Sequence, residues 1–275
     1  MREVLAPLLR LLSSLWLLGG LVVAQPVSGA NSAAAPLPPL PVFGNCTPNR
    51  SPHVVRSWQI IGGVGVNVVT VNTAAPTVRV MPGFARNADP KRGCFPQESF
   101  YRIVARYQPR VAINGTYFNL QNGQPTGTIV RYSQFLYQGR YGTAVCFDEA
   151  GKVQFRFPGS GEPIGFGECV HGISTGPTLV RDSALYLHPR EEGFTDPSVL
   201  GKARRSVIGL TSHDKLILVT VHTPVTLNKL AHIMLRLGCK SAANLDGGSS
   251  SALYSNGLYV TVPRRKLSNV ILVYD

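Results

Sequence analysis

The chain has 275 residues and carries 27 Lys and Arg against 14 Asp and Glu, a formal charge of +13. That length gives one large domain or two small ones, and it excludes a miniature fold that needs staples to hold together. The charge favours anionic partners such as phosphate-bearing glycans, wall polymers or lipid headgroups, or else marks a solvated basic surface. The basic residues are scattered, with no basic helix and no RNP-like aromatic motif, so no nucleic-acid partner is expected.

The first 30 residues read as an export signal. Arg2 and Arg10 precede the apolar run "LLSSLWLLGGLVVA", and "SGA" at Ser28–Ala30 suits cleavage, as does Ala24. The run is short for a membrane span, so no stable span is expected after processing; an uncleaved anchor is the alternative. Residues 31–41, "NSAAAPLPPLP", form a Pro/Ala linker. Residues 42–275 are read as one domain.

Export implies an oxidising compartment, where thiols pair. Cys46 and Cys94 lie in Pro/Gly-rich loops, and Cys146 and Cys169 bracket a short strand-rich stretch. We pair them in that order and leave Cys239 free, although sequence alone does not fix the connectivity. Cys239→Ser is expected to be nearly silent. Neither CxxC nor HExxH occurs, so no metal site and no cofactor are expected.

In chain order, "VGVNVVTVN" and "PTVRVMPG" alternate as a hairpin pair. "PQESFYRIVARY" is helical, with Phe100, Ile103, Val104 and Tyr107 on one face and Ser99 at its start. "RVAINGTYF" is a buried strand entering a glycine turn. "RYGTAVCFD" with "KVQFRF", and "RSVIGLT" with "KLILVTVH", form two further hairpins. "TLNKLAHIMLRLGC" is the clearest helix, capped by Thr226 and closed by Gly238. "AANL" is a strand, "SALYSNGLYV" a hairpin about Asn256–Gly257, and "NVILVYD" the last strand. The expected fold is α+β, a single domain with a mixed β-sheet, packed helices and glycine-rich turns lining one pocket.

Four segments share one design: "AINGTYF", "GISTGPTLV", "RSVIG" and "NLDGGSSS". Each is an apolar strand that ends among small residues, where a ligand or another backbone can approach closely. Successive backbone N–H groups in such turns make anion-binding concavities. Asp246, Gly247, Gly248, Ser249 and Ser250 are the richest example.

These segments, in this order, resemble the phosphodiester glycosidase family. The resemblance runs from about Val111 to the C-terminus and includes "RKLSNVILV" at Arg265–Val273. It implies an exported hydrolase acting on a phosphorylated glycan, at a sugar joined to phosphate through its anomeric carbon. Family arginines fall on Arg205 and Arg265. Two positions depart from the family pattern: Thr116 stands where a second glycine is usual, and His222 where Asp is common.

Asp246 is the candidate catalytic residue, against the simpler reading of an Asx-turn. His222 is a second candidate acid or base, or a structural histidine. Asn114 and Gly115 either bind substrate or shape a turn. Arg205 and Arg265 offer planar forks to phosphate, or form surface ion pairs. Asn269 reads as structural. No G-x-S-x-G elbow supports a nucleophilic serine, so Ser249 and Ser250 are read as hydrogen-bond donors to phosphate or as turn formers.

Ordinary glycosidases use two carboxylates because a sugar alkoxide leaves poorly. A phosphomonoester leaves as a stable anion, so one carboxylate can suffice while arginines and N–H groups stabilise the growing charge. The rival readings are a non-catalytic module that binds phosphoglycan or wall polymer, and a metal-dependent phosphodiesterase using Asp246 and His222.

Overall fold

The computed structural model describes residues 51–139, 142–158 and 165–275, all within one compact unit. The expected export signal and linker, and Cys46, lie outside the described residues.

The chain begins with β1 (Val54–Ile61), β2 (Val64–Val71), β3 (Arg79–Phe84), helix α1 (Phe100–Tyr107) and β4 (Val111–Asn114). Next come β5 (Ile129–Arg131), β6 (Gln134–Tyr137), β7 (Thr143–Phe147), β8 (Val153–Arg156), β9 (His171–Thr175), β10 (Thr178–Arg181) and β11 (Ala184–Leu185). The short helix α2 (Pro197–Leu200) precedes β12 (Ala203–Thr211), β13 (Leu216–Val225), helix α3 (Leu227–Arg236) and β14 (Cys239–Asn244). β15 (Leu253–Ser255), β16 (Leu258–Thr261) and β17 (Asn269–Tyr274) complete the chain.

The strands build three sheets, in the orders β1-β2-β13-β12-β14-β10-β11, β16-β15-β4-β17-β3 and β6-β5-β9-β7-β8. Helices are few, and strands dominate. Every strand pair among the described residues is antiparallel, which corrects the expected mixed sheet. The helices do act as crossovers. However, α3 joins β13 to β14, and both of these pair with β12 between them. In the second sheet α1 joins β3 to β4, and β17 fills the slot between them. Each crossover therefore skips one position that an antiparallel strand occupies.

The hairpin expected between β2 and β3 is also corrected. β2 pairs with β1 and β13, whereas β3 pairs with β17 in the second sheet. The real hairpin turns at Gly62–Gly63, whose φ values of 57° and 77° suit a two-residue turn. β1 escaped sequence reading because Val55, Trp58 and Ile60 all remain exposed, which erases its alternation.

Other expectations hold. Ser99 and Thr226 cap α1 and α3 through their hydroxyls, accepting from the amides of Arg102 and Lys229. α1 buries Phe100, Ile103 and Val104, and α3 buries Leu227, Leu230, Ala231, Ile233 and Met234. Gly238 closes α3 with φ 78°, and the hairpins β7–β8, β12–β13 and β15–β16 form as read. The central core gathers residues of all three sheets, among them Val69, Ile113, Ile173 and Ile271.

The Cys146–Cys169 disulfide is present. Cys94 is exposed and unpaired, and its expected partner is Cys46. Cys239 is free but buried, with its thiol against Gly209 and the helix α3 side of the core. Burial pushes that thiol up to about 12, so it is an inert core group. This overturns the expectation that Cys239→Ser is silent. A serine hydroxyl buried there without a partner should cost about 1–3 kcal/mol, while Cys239→Ala should cost less. Urea midpoints of the two variants test this, and a serine variant as stable as wild type would contradict it.

Candidate active site

Two sheets meet where β4 and β14 end. Asn114 closes β4 and Asn244 closes β14, and the chain after each turns toward the other. The Asp246 amide donates to the Gly115 carbonyl at 3.1 Å. Asn114 Nδ2 donates to the Asp246 carbonyl at 2.6 Å, and Asn114 Oδ1 accepts from the Ala252 amide at 2.9 Å. Asn114 is only 1% exposed. Its amide therefore fastens both ends of the Asp246 loop and holds the carboxylate in place, so the turn-shaping reading fits it better than substrate contact.

Gly115 has an equally local reason. A Cβ there would collide with Asn269 Oδ1. Asn269 accepts from the Thr116 amide at 2.9 Å and donates to the Thr116 carbonyl at 3.2 Å, the structural role expected of it. Gly115 lets this clasp close.

The other segments lock onto the same point. Tyr117 donates its hydroxyl to the Gly176 carbonyl at 2.9 Å and accepts from Asn244 Nδ2 at 2.6 Å. Thr175 Oγ1 donates to the Asn244 carbonyl at 2.8 Å. The Leu245 amide donates to the Ser206 carbonyl at 2.8 Å. At Gly247 a Cβ would come within 2.8 Å of the Arg204 carbonyl, so the loop can lie against β12 only as glycine. Gly248 has φ 59°, the left-handed region that favours glycine. The other three segments that share the glycine-turn design thus each touch the Asn244–Ser251 segment.

Asp246 sits at this junction, partly open to solvent as a residue while its carboxyl is enclosed by protein. The Gly247 amide donates to Asp246 Oδ1 at 2.8 Å, and the Ser250 hydroxyl lies beside the carboxyl outside ideal hydrogen-bond geometry. Burial raises the carboxyl to about 6, against the opposing pull of Ser250, the Gly247 amide and the Arg265 charge. Asp246 is therefore neutral at acid pH and a carboxylate at neutral pH. Buried polar atoms without a protein partner gather in the same segments: Thr116 Oγ1, Ser206 Oγ, Asn244 Oδ1, Ser250 Oγ and Ser251 Oγ. Unsatisfied atoms are rare in native interiors, and a cluster of them marks a place suited to a polar ligand.

The predicted site residues divide. Arg265 joins Asp246, since its positive charge acts on the carboxyl. Its neighbour Arg264 donates its amide to the Ser249 carbonyl at 2.7 Å, which ties their loop to the Asp246 turn. Arg205 is different. It is 1% exposed, and its guanidinium donates to the carbonyls of Val225 at 3.2 Å, Val199 at 3.0 Å and Gly201. The fork read as a phosphate grip thus holds α2 and the end of β13. His222 is exposed on β13, with Nε2 at 2.8 Å from Thr261 Oγ1. Burial and the nearby Arg204 charge lower its pKa, and Asp246 is not among the groups that act on it.

Sequence reading passed over Tyr117, Asn244 and the 188–194 loop. Tyr117 packs on Phe194, with ring centroids 5.9 Å apart. Burial, then the Asp246 charge, drives the Tyr117 hydroxyl far above its ordinary pKa, so it stays protonated. Glu192 accepts from the Thr178 amide and hydroxyl at 3.0 and 2.8 Å, which pins this loop to β10. Tyr117 and Asn244 stood inside quoted motifs, but their partners are 127 positions apart in sequence. Among the described residues no group of three or more His, Cys, Asp or Glu is placed to hold a metal ion.

Comparison with known proteins finds the same fold elsewhere. A structure of a hypothetical protein from Synechocystis superposes with TM-score 0.67 at 19% identity, covering 80% of this chain. This chain spans 61% of that one. The zebrafish N-acetylglucosamine-1-phosphodiester alpha-N-acetylglucosaminidase catalytic domain, auto-inhibited by pro-peptide, superposes with TM-score 0.65 at 20% identity, covering 82% of this chain and 85% of that one. At such identities the likeness is one of fold. No curated protein matches in sequence. The family model for phosphodiester glycosidase matches residues 107–274, a stretch that contains all four converging segments, and the chain belongs to the phosphodiester glycosidase family.

Proposed function

We propose that the protein is an exported hydrolase that cleaves a sugar-1-phosphodiester in a cell-surface or extracellular phosphoglycan, with Asp246 as its single reacting carboxylate. The observation that carries this reading is one enclosed carboxyl, poised near pH 6, where the four glycine-rich segments meet. The disulfide Cys146–Cys169 supports residence in an oxidising compartment, reached after loss of the first 24–30 residues.

Above pH 6 the Asp246 carboxylate serves as base for water or as nucleophile at the anomeric carbon. Arg265 and the amides of Gly248 and Ser249 stabilise the charge that grows on phosphate as the C–O bond opens. The phosphomonoester departs as an anion and needs no second acid. Asn114 positions the Asp246 loop and Asn269 the Gly115–Thr116 turn, and neither touches the reacting atoms. The sugar is held against the glycine-rich turns.

A panel of sugar-1-phosphodiesters tests this, with free sugar and phosphomonoester followed together. Equal release of both is expected for at least one sugar, with kcat/KM rising as pH passes about 6. Binding of these compounds without turnover of any would favour the non-catalytic phosphoglycan-binding module instead.

A further inference from the structure

Beyond Asp246 the positive charge continues in a row. The segment Thr261–Arg265 runs past the adjacent strands β12 and β13 and is fastened to both. Arg204 Nη2 donates to the Val262 carbonyl at 3.4 Å, and His222 Nε2 meets Thr261 Oγ1 at 2.8 Å. Arg264 is fixed through its amide to the Ser249 carbonyl, at the edge of the Asp246 turn. Arg264 and His222 are exposed, and Arg204 is half-buried with its Nε enclosed and unpartnered. The two arginine charges feel one another, since Arg264 acts on Arg204, while burial and the Arg204 charge disfavour the charged form of His222, which adds a hydrogen-bonding ring beside the pair.

No acid answers this row. The ion pairs among the described residues are Arg92–Asp89, Arg106–Glu98, Arg181–Asp182, His188–Glu191 and Lys240–Asp214. No acidic group is among those that shift Arg204 or His222. Like charges held together without a counterion repel, and a bound anion relieves that repulsion. Arg265, on the same segment, is the cation whose charge acts on the Asp246 carboxyl.

We propose that Arg204, His222 and Arg264 form a second anion subsite, which takes a phosphate of the substrate other than the one whose glycosidic bond is cleaved. The substrate class is then a glycan carrying at least two phosphates. This deepens the proposed function and rests on it.

Two sugar-1-phosphodiesters, alike except that one bears a phosphomonoester at the far end of its aglycone, provide the test. The wild type should favour the doubly phosphorylated compound in kcat/KM by about tenfold, equivalent to about 1.4 kcal/mol. The double variant Arg264→Gln, His222→Gln should bring that ratio close to one. Binding of inorganic tripolyphosphate, measured by calorimetry, should weaken about tenfold in the same variant. A wild-type ratio near one, or a ratio unchanged in the variant, overturns the subsite. If neither compound turns over but the variant still weakens tripolyphosphate binding, the subsite stands and the hydrolase reading fails. If neither turns over and tripolyphosphate binding is equal in both proteins, the subsite is overturned as well.

Discussion

Asp246→Asn should lower turnover roughly a thousandfold or more while the protein stays folded. The amide matches the carboxyl in size and can still accept from the Gly247 amide, but it can neither take a proton from water nor attack carbon. The same substitution should raise stability, and the sign follows from linkage. Asp246 goes from an ordinary 3.8 to about 6 on folding, so between these values the native state holds a proton that the unfolded chain has lost. Wild-type stability therefore falls as pH rises through that window. The asparagine variant lacks this loss. Its melting temperature should match wild type near pH 4 and exceed it above pH 7. Wild-type turnover in the variant would return Asp246 to a turn residue.

Arg205→Lys should act on the fold. The lysine keeps the charge but has no planar fork to serve three carbonyls at once, and it is buried as deeply. A loss of about 3 kcal/mol is expected, read as a lower urea midpoint. Below its melting range the variant should keep the wild-type KM within about twofold, since this guanidinium faces α2 and β13 instead of substrate. Unchanged stability with a raised KM would make Arg205 a phosphate ligand after all.

These two residues show what the sequence carried and what it did not. The elements with local causes were legible. Ser99 and Thr226 mark helix starts by hydroxyls that cap within three residues, and Asn256–Gly257 marks a turn by its own backbone freedom. The Asp246 loop was legible as well, because its glycines and serines are contiguous. Arg205 and Asn114 were not, since each is a polar residue on an apolar strand. Such a residue serves either a ligand or a distant backbone group that needs a partner. Only the fold shows that the Val199 and Val225 carbonyls lie beside Arg205, or that the Ala252 amide lies beside Asn114. The same limit explains β3. Its partner β17 is the last strand of the chain, and no local pattern announces a pairing across almost the whole domain.

Hydrolysis in water labelled with heavy oxygen tests the central claim most directly. If Asp246 directs attack on the anomeric carbon, the label appears in the released sugar and the phosphomonoester carries none. Label in the phosphomonoester would show cleavage of the P–O bond, and would contradict attack on carbon directed by Asp246.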